Sequence, residues 1–200
     1  MADQSRPYRM QRRAESQEQT RLRITESAVE LHRTLGPSRT SMSAVAAHAG
    51  VRRSTLYRHF RDEAALFDAC TAHWAAANPP PDMGAWATIE DPDRRLAVAL
   101  AELYTFYRQT EQMLENMFRD EATVAIVRER FAAFRYYFAA ALDVLMAGRR
   151  LRGAARRQTR AVLGHAIAFS TWSSLVREQG LDDRAVVELM RALVHVAADR

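Results

Sequence analysis

One short segment of the sequence combines cations, hydroxyl groups and an aromatic side chain at helical spacing. Residues 52–60 read RRSTLYRHF, in which Leu56 and Phe60 lie on the side opposite to most of the polar residues. A helix of this kind can be anchored by its apolar side while its polar side enters the major groove of DNA, where Arg pairs with guanine. The segment therefore predicts a helix that contacts the bases of DNA.

The residues before this segment predict the elements that would position it. Residues 42–49 form an amphipathic pattern with Ser41 as a candidate N-cap, and Gly50 tolerates the positive φ of a sharp turn. A longer apolar periodicity over residues 17–34 predicts a further helix that shares the same core. Together these patterns predict a three-helix, helix-turn-helix DNA-binding domain over residues 17–61.

Positive charge is concentrated in the same part of the chain. Residues 1–61 contain 12 Arg and 5 acidic residues, whereas residues 62–200 contain 17 Arg and 19 acidic residues, within a net charge of +5. This distribution favours a polyanionic partner for the N-terminal third only. All the cations other than His are Arg, which suits bidentate pairing with phosphate and guanine, although coding bias in a GC-rich genome is an alternative reason.

Other functional classes find little support in the sequence. No GxSxG, GxxxxGK[ST], HExxH or GxGxxG motif is present, so we expect no enzyme and no cofactor. Cys70 and His73 lie three residues apart, but without a second pair they favour a structural role over a metal site. The single cysteine and the absence of a long apolar run predict a cytoplasmic protein without membrane contact.

The remaining sequence predicts an all-α protein of about nine helices. Residues 1–16 are interpreted as a basic flexible arm, either disordered or in contact with a DNA groove or phosphates. Residues 62–200 are assigned to a helical bundle for ligand binding and dimerisation. Its helices are expected at about 62–77, capped by Asp62, and then at 92–109, 111–119, 121–147, 155–178 and 182–198.

Residues 24–67 closely resemble the TetR family of transcriptional regulators. The resemblance is carried by ITESAVELHRTLG, by TSMSAVAAHAGV, and by TLYRHF followed by DEAALF. It implies a homodimer that represses transcription from a palindromic operator and is released by a small molecule. A ligand-independent helix-turn-helix protein and an activator remain alternatives.

Three sets of candidate site residues follow. The expected DNA-contacting residues are Ser41, Ser43, Arg52, Arg53, Ser54, Thr55, Tyr57, Arg58, His59 and Arg61, of which Tyr57 and His59 are assigned to phosphate by the resemblance. A small hydrophobic effector is expected among the aromatic and Met-rich residues, namely Trp86, Tyr104, Tyr107, Met113, Met117, Phe131, Phe134, Arg135, Tyr137, Phe138, His165 and Trp172. The expected dimer interface comprises Leu163, Ile167, Ser170, Val186, Leu189, Met190, Leu193 and Val194.

Overall fold

The computed structural model describes residues 5–199, except for the side chains of residues 5–7 and 9, and this part of the chain is all-α, as predicted. The helices are α1 (Ser5–Thr34), α2 (Met42–His48), α3 (Arg53–His59), α4 (Glu63–Ala77), α5 (Met83–Ala87), α6 (Pro92–Glu121), α7 (Ala125–Arg130), α8 (Ala132–Met146), α9 (Gly153–Ala166), α10 (Phe169–Ser173) and α11 (Asp183–Ala198). A 3₁₀ turn (Pro37–Arg39) and a π-helical turn (Ser174–Glu178) complete the regular structure. The predicted caps Ser41 and Asp62 accept backbone N–H groups of α2 and α4, and Asp182 does so for α11.

Helix α1 begins at Ser5 rather than near residue 17, so most of the expected flexible arm is helical. Residues 10–19 are all exposed, and their helical structure is supported locally, as where Gln11 donates to Glu15 at 3.0 Å. Arg, Gln, Glu and Ala dominate this stretch and favour a helix, and Pro7 lies in the first turn, where proline is tolerated. Residues 1–4 of the expected arm lie outside the described range.

The chain forms two compact units, residues 1–79 with 115–129 and residues 80–114 with 130–200. Helix α4 lies in the first unit, whereas residues 62–200 were assigned to the helical bundle from the sequence. Its apolar side chains Leu66 and Cys70 are buried in the same core as the helix-turn-helix.

The core of the first unit contains the residues that the sequence pattern placed there. Ile24, Val45, Leu56 and Phe60 are at most 1% exposed, and Ala28 is fully buried between them. Burial of each of the larger side chains contributes about 1.5–3 kcal/mol relative to exposure. This core holds α3 by Leu56 and Phe60 and so fixes which side of that helix faces solvent.

Several helices after α4 differ from the sequence-based expectation. Helix α6 continues through the break expected near Thr110, whose hydroxyl donates to the Phe106 carbonyl at 2.6 Å without interrupting the helix. The helix expected over residues 121–147 is instead divided into α7 and α8 at Phe131. The short helix α5 was not predicted.

The helix expected over residues 155–178 is interrupted after α9. The Tyr104 hydroxyl donates to the Ala166 carbonyl at 2.9 Å. The Tyr107 hydroxyl donates to the Ile167 carbonyl at 2.5 Å. Two tyrosines of α6 therefore satisfy carbonyl groups at the interruption, where the helical hydrogen-bond pattern changes.

Arg95, near the start of α6, ties together two segments of the second unit. It is 5% exposed, and its guanidinium donates to the carbonyls of Ile89 at 2.6 and 2.9 Å and of Glu90 at 3.4 Å. It also donates to the carbonyls of Val144 at 3.1 Å and Ala147 at 2.7 Å, at the end of α8. One buried cation thus joins the α5–α6 loop to the C-terminus of α8.

Candidate nucleic-acid interface

The outward side of α3 carries an uninterrupted polar surface. Arg52, Arg53, Ser54, Tyr57 and Arg58 are exposed, while Leu56 on the other side is fully buried. Gly50 has φ +65°, a conformation that L side chains rarely adopt, and it makes the turn between α2 and α3. The arrangement presents three guanidinium groups, one hydroxyl and one phenol to solvent on a short helix.

Arg53 and Tyr57 interact with each other one helical turn apart. Arg53 Nη2 donates to Tyr57 Oη at 3.3 Å, and the guanidinium carbon lies 5.5 Å from the centre of the ring. This contact limits the conformations of Arg53 before any ligand binds, which reduces the entropy lost on forming a bidentate contact.

The predicted contact residues on either side of α3 differ in which of their polar groups are already bonded within the protein. Arg52 occupies the N-cap of α3 but makes no side-chain cap, so its cation remains available. Ser41 Oγ accepts the Ala44 N–H at 3.1 Å, which leaves the hydroxyl hydrogen free to donate, and Ser43 is exposed. Arg61 pairs with Asp62 at 2.9 Å, with 86% of its side chain exposed.

Thr55 and His59 are less accessible than their neighbours. Both are half-buried, and His59 Nε2 is inaccessible to solvent and has no hydrogen-bond partner among the described residues. Burial, followed by the charges of Arg58 and Arg21, lowers the pKa of His59, which favours the neutral ring. In this conformation Nε2 is therefore not available for the phosphate contact expected of His59.

Arg21 of α1 holds the end of α3 and was not identified from the sequence. Its Nη1 donates to the His59 carbonyl at 3.0 Å, and its guanidinium carbon lies 4.4 Å from the centre of the Phe60 ring. The His59 carbonyl lies in the last turn of α3 and has no helical partner, so a cation there is favourable. The partners lie 38 residues apart, and no local sequence signal connects them.

A set of contacts, which we call the α1–α6 clasp, joins the C-terminal end of α1 to the last turns of α6 within the first unit. Asn116 Nδ2 donates to the carbonyls of His32 at 3.1 Å and Arg33 at 2.6 Å, and Arg119 Nη2 donates to that of Leu35 at 3.0 Å. These donors satisfy carbonyl groups that the end of α1 leaves unpaired.

Asp120 completes the α1–α6 clasp from the acceptor side. Its Oδ2 accepts the Ser38 N–H at 2.9 Å, and its Oδ1 accepts from Arg119 Nε at 2.9 Å. Burial opposes ionisation of this carboxyl, but the hydrogen bonds from Arg119 and Ser38 outweigh burial and lower the pKa of Asp120. The Asp120 carboxylate is thus charged, and its bond from the Ser38 N–H holds the 3₁₀ turn.

His32 lies beside the clasp in the core of the first unit. Its ring centre lies 5.2 Å from that of Phe67, and its Nδ1 lies 3.5 Å from Cys70 Sγ. Burial lowers the pKa of His32 to about 4, against a smaller opposite effect from Asp120. Burial also raises the pKa of Cys70 to about 12, so neither group is charged at neutral pH.

We expect His32 to make folding sensitive to mild acid. In the unfolded protein His32 binds a proton below about pH 6.5, whereas in the folded protein it does so only below about pH 4. Protonation therefore favours the unfolded state, and the free energy of unfolding falls as the pH is lowered from about 6.5 to about 4. Between about pH 7 and about pH 4.5 the wild type should lose roughly 2–3 kcal/mol more than His32→Phe. Urea denaturation at both pH values measures this difference, with His195→Gln as the exposed control. Equal losses in wild type and His32→Phe would contradict the assignment.

The aromatic residues expected at the effector site form a packed cluster in the second unit. Tyr107 lies at its centre, with the ring centres of Phe138, Phe169 and Trp172 at 6.4, 5.4 and 5.8 Å. Phe134 lies 4.7 Å from Phe138 and extends the cluster along α8. Most of the expected aromatic side chains are thus brought together, and Phe169 joins them although it was not among those expected.

The polar atoms of this cluster are hydrogen-bonded to protein groups. Besides the bonds of Tyr104 and Tyr107, Tyr137 Oη donates to the Pro81 carbonyl at 2.9 Å, and Trp172 Nε1 donates to Asp183 at 3.0 Å. Burial raises the pKa of Tyr104, Tyr107 and Tyr137, so the phenols remain neutral donors.

The other expected effector residues are distributed differently. Trp86 is fully buried and donates to Glu102 at 2.7 Å. Met113 is buried, Arg135 and His165 are exposed, and Met117 belongs to the first unit. Phe131 is buried and stacks on Phe134, with ring centres 4.9 Å apart.

Helices α9 and α11 pack against each other and bury five of the eight residues expected at a dimer interface. These residues, which are at most 3% exposed, are Leu163, Ile167, Val186, Met190 and Val194. Their side chains form the subunit's own core, so they need to be removed from the expected interface. Leu189, Leu193 and Ser170 remain exposed, and Val196 extends the exposed apolar face of α11.

Two further observations concern metal sites and membranes. Among the described residues, no group of three or more His, Cys, Asp or Glu side chains is placed to hold a metal ion. In the same part of the chain, no helix combines the length and the apolar character needed to cross a membrane.

Comparison with known protein families finds a match within the first unit. Residues 24–70, from α1 to Cys70 on α4, match the model of the family described as bacterial regulatory proteins, tetR family. No curated protein sequence matches the chain at a significant level.

Several solved structures share the fold. A candidate fatty acid metabolism regulator of Clostridium perfringens is 14% identical, with 88% of this chain and 97% of that chain covered and a TM-score of 0.63. NalD of Pseudomonas aeruginosa, the secondary repressor of the MexAB-OprM multidrug efflux pump, is 23% identical, with 92% and 97% covered and a TM-score of 0.60. A TetR transcription regulator from Haloarcula marismortui is 16% identical, with 91% and 97% covered and a TM-score of 0.57.

Proposed function

We propose that this chain, whose residues 24–70 match the model of the tetR family of bacterial regulatory proteins, is a sequence-specific transcriptional repressor of that family. Its operator is an inverted repeat, and a small hydrophobic molecule releases it. The DNA-binding part of the proposal is supported by the exposed side of α3. Arg52, Arg53 and Tyr57 are exposed there, while Leu56 on the opposite side is buried in the core. Direct base contacts come from Arg52 and Arg53, and Ser41, Ser43, Ser54, Thr55, Tyr57, Arg58 and Arg61 position the helix on the phosphates.

The proposed dimer uses the exposed apolar face of α11. Leu189, Leu193 and Val196 are 39%, 42% and 53% exposed, and their spacing of four and three residues places them on one side of the helix. A second copy of the same helix, related by a two-fold axis, would cover this face. Two α3 helices would then be available for the two half-sites of an inverted repeat.

The proposed effector site is the Tyr107 cluster beside the interruption after α9. An apolar molecule that displaces Tyr104 or Tyr107 there would leave the carbonyl of Ala166 or of Ile167 without its tyrosine donor. The second candidate function, a regulator without an effector, is favoured by the complete hydrogen bonding of the cluster. A hydrophobic compound that raises the Tm and releases bound DNA supports the first candidate, and uniformly null responses support the second.

Selection of genomic fragments by the purified protein tests the DNA-binding proposal. We expect the selected fragments to share an inverted repeat, and light scattering to give the mass of two 22.7 kDa chains. Leu193→Glu should produce monomers that bind the fragments weakly, whereas His195→Glu, on another side of α11, should remain dimeric. A monomeric wild type, or selected fragments without a shared sequence, would refute the corresponding part.

A further inference from the structure

The loop between α8 and α9 and the start of α9 carry a concentration of positive charge that the proposed function does not use. Residues 144–177 contain seven Arg and no acidic residue, and six of these Arg lie within residues 149–160. No acidic residue within this range offsets the charge, so its self-repulsion is reduced only by acidic side chains from outside the range or by a bound anion.

A cleft of about 520 Å³ opens beside this loop within the second unit. Arg149, Arg150 and Arg156 line it together with Asp143, and the aliphatic side chain of Met146 contributes to its apolar wall. The volume lies within the range of about 300–1,000 Å³ that is usual for small-molecule sites. The cleft is therefore large enough for a small metabolite.

Two of the charged side chains that line the cleft, Arg149 and Asp143, already form ion pairs within the protein. The Arg149 side chain is 7% exposed and bonds to Asp93 at 2.9 Å, to the Pro92 carbonyl at 2.8 Å and to the Leu145 carbonyl at 3.1 Å. Asp143 pairs with Arg160 at 2.7 Å. Arg149 thus forms a fixed wall of the cleft, and the Asp143 carboxylate is held by Arg160, which lies outside the lining.

Arg150 and Arg156 remain, and both are exposed at the cleft. The guanidinium group of neither residue hydrogen-bonds or forms an ion pair within the described part of the chain. Each guanidinium offers a planar pair of N–H donors that matches one phosphate or carboxylate group. Two such groups on one small cleft fit a ligand with at least two negative charges.

We propose that this cleft binds a small polyanion, a phosphate ester or a polycarboxylate, through Arg150 and Arg156. The site is separate from the hydrophobic Tyr107 cluster in its chemistry, because its free side chains are cationic rather than aromatic. It does not depend on the DNA-binding function of α3. The protein would then bind two classes of small molecule, a hydrophobic one at the Tyr107 cluster and an anionic one in this cleft.

Isothermal titration calorimetry of the full-length protein with pyrophosphate and with citrate tests this proposal. We expect saturable binding at an ionic strength held constant with NaCl, and tighter binding of one probe assigns the ligand to phosphates or carboxylates. The Arg150→Ala/Arg156→Ala variant should bind about tenfold more weakly or worse. Arg23→Ala/Arg184→Ala, which removes the same charge from exposed sites elsewhere, should bind as the wild type does. Circular dichroism melts establish that both variants are folded.

Arg150→Lys/Arg156→Lys keeps the charge and should weaken binding severalfold, because lysine lacks the planar fork. Absence of saturable binding of both probes, or an equal loss in the Arg23→Ala/Arg184→Ala variant, would overturn the proposal. A loss of affinity for a duplex without the operator, with pyrophosphate binding unchanged, would also overturn it, because the cluster would then serve the DNA backbone.

Discussion

Gly36→Ala is expected to destabilise the first unit by about 3 kcal/mol, because it strains the backbone and breaks the α1–α6 clasp. Gly36 has φ +90°, and a Cβ there would lie 2.0 Å from Arg119 Nη2 and 2.6 Å from Asp120 Oδ2. The end of the Arg119 side chain can move, but it would then lose its bond to the Leu35 carbonyl. Asp120 is 3% exposed, so its carboxylate has little room to shift while keeping its bond to Ser38.

Gly50→Ala is the control for a glycine of positive φ at which a Cβ would not collide. Gly50 has φ +65° in the same unit, but a Cβ there would meet no atom within 4 Å. It therefore carries the conformational strain, about 1–2 kcal/mol, without the collision. Urea denaturation of both variants separates the two effects, and an equal cost for Gly36→Ala and Gly50→Ala would show that the clasp contributes little to stability.

Arg53→Ala is expected to weaken binding to the selected operator and to relax the preference at one base pair of each half-site. A bidentate contact between Arg and guanine discriminates against other bases by about 1–3 kcal/mol. Arg53 is exposed and already held by Tyr57, so the folded state loses only one surface contact when it is truncated. The structure of α3 should therefore remain intact.

Fluorescence anisotropy on a panel of single-base operator variants measures the effect of Arg53→Ala. Arg184→Ala removes the same charge from an exposed position in the second unit and should leave the whole panel unchanged. A uniform loss on every operator variant would reassign Arg53 to a phosphate contact. Unchanged affinity throughout would remove it from the interface.

The helix-turn-helix region was predictable from the sequence because its signals are local. Ser41 and Asp62 cap the helices that follow them, and Gly50 makes the turn, each within four residues of the groups it serves. Leu56 and Phe60 repeat at helical spacing, so their common burial follows from the pattern. The exposure of the polar side of α3 followed from the same pattern, except for His59, whose Nε2 is buried.

The contacts that depend on distant residues were not predictable. Asn116 and His32 are separated by 84 residues, and neither type signals the other. The tyrosines that bond to the interruption after α9 are likewise remote in sequence, so an amphipathic pattern over residues 155–178 indicated one helix. In α11, the apolar residues occupy more than one side, and the sequence alone does not say which side α9 covers and which remains exposed.

The buried contacts of Arg95 give a structural meaning to part of the chain's lack of lysine. Its guanidinium reaches four carbonyl groups on two segments, because its donors point in several fixed directions within one plane. An ammonium group concentrates its three hydrogens on a single nitrogen and would leave some of these oxygens unsolvated. Replacement of Arg95 by lysine is therefore not conservative, even if genome composition explains the preference for arginine elsewhere in the chain.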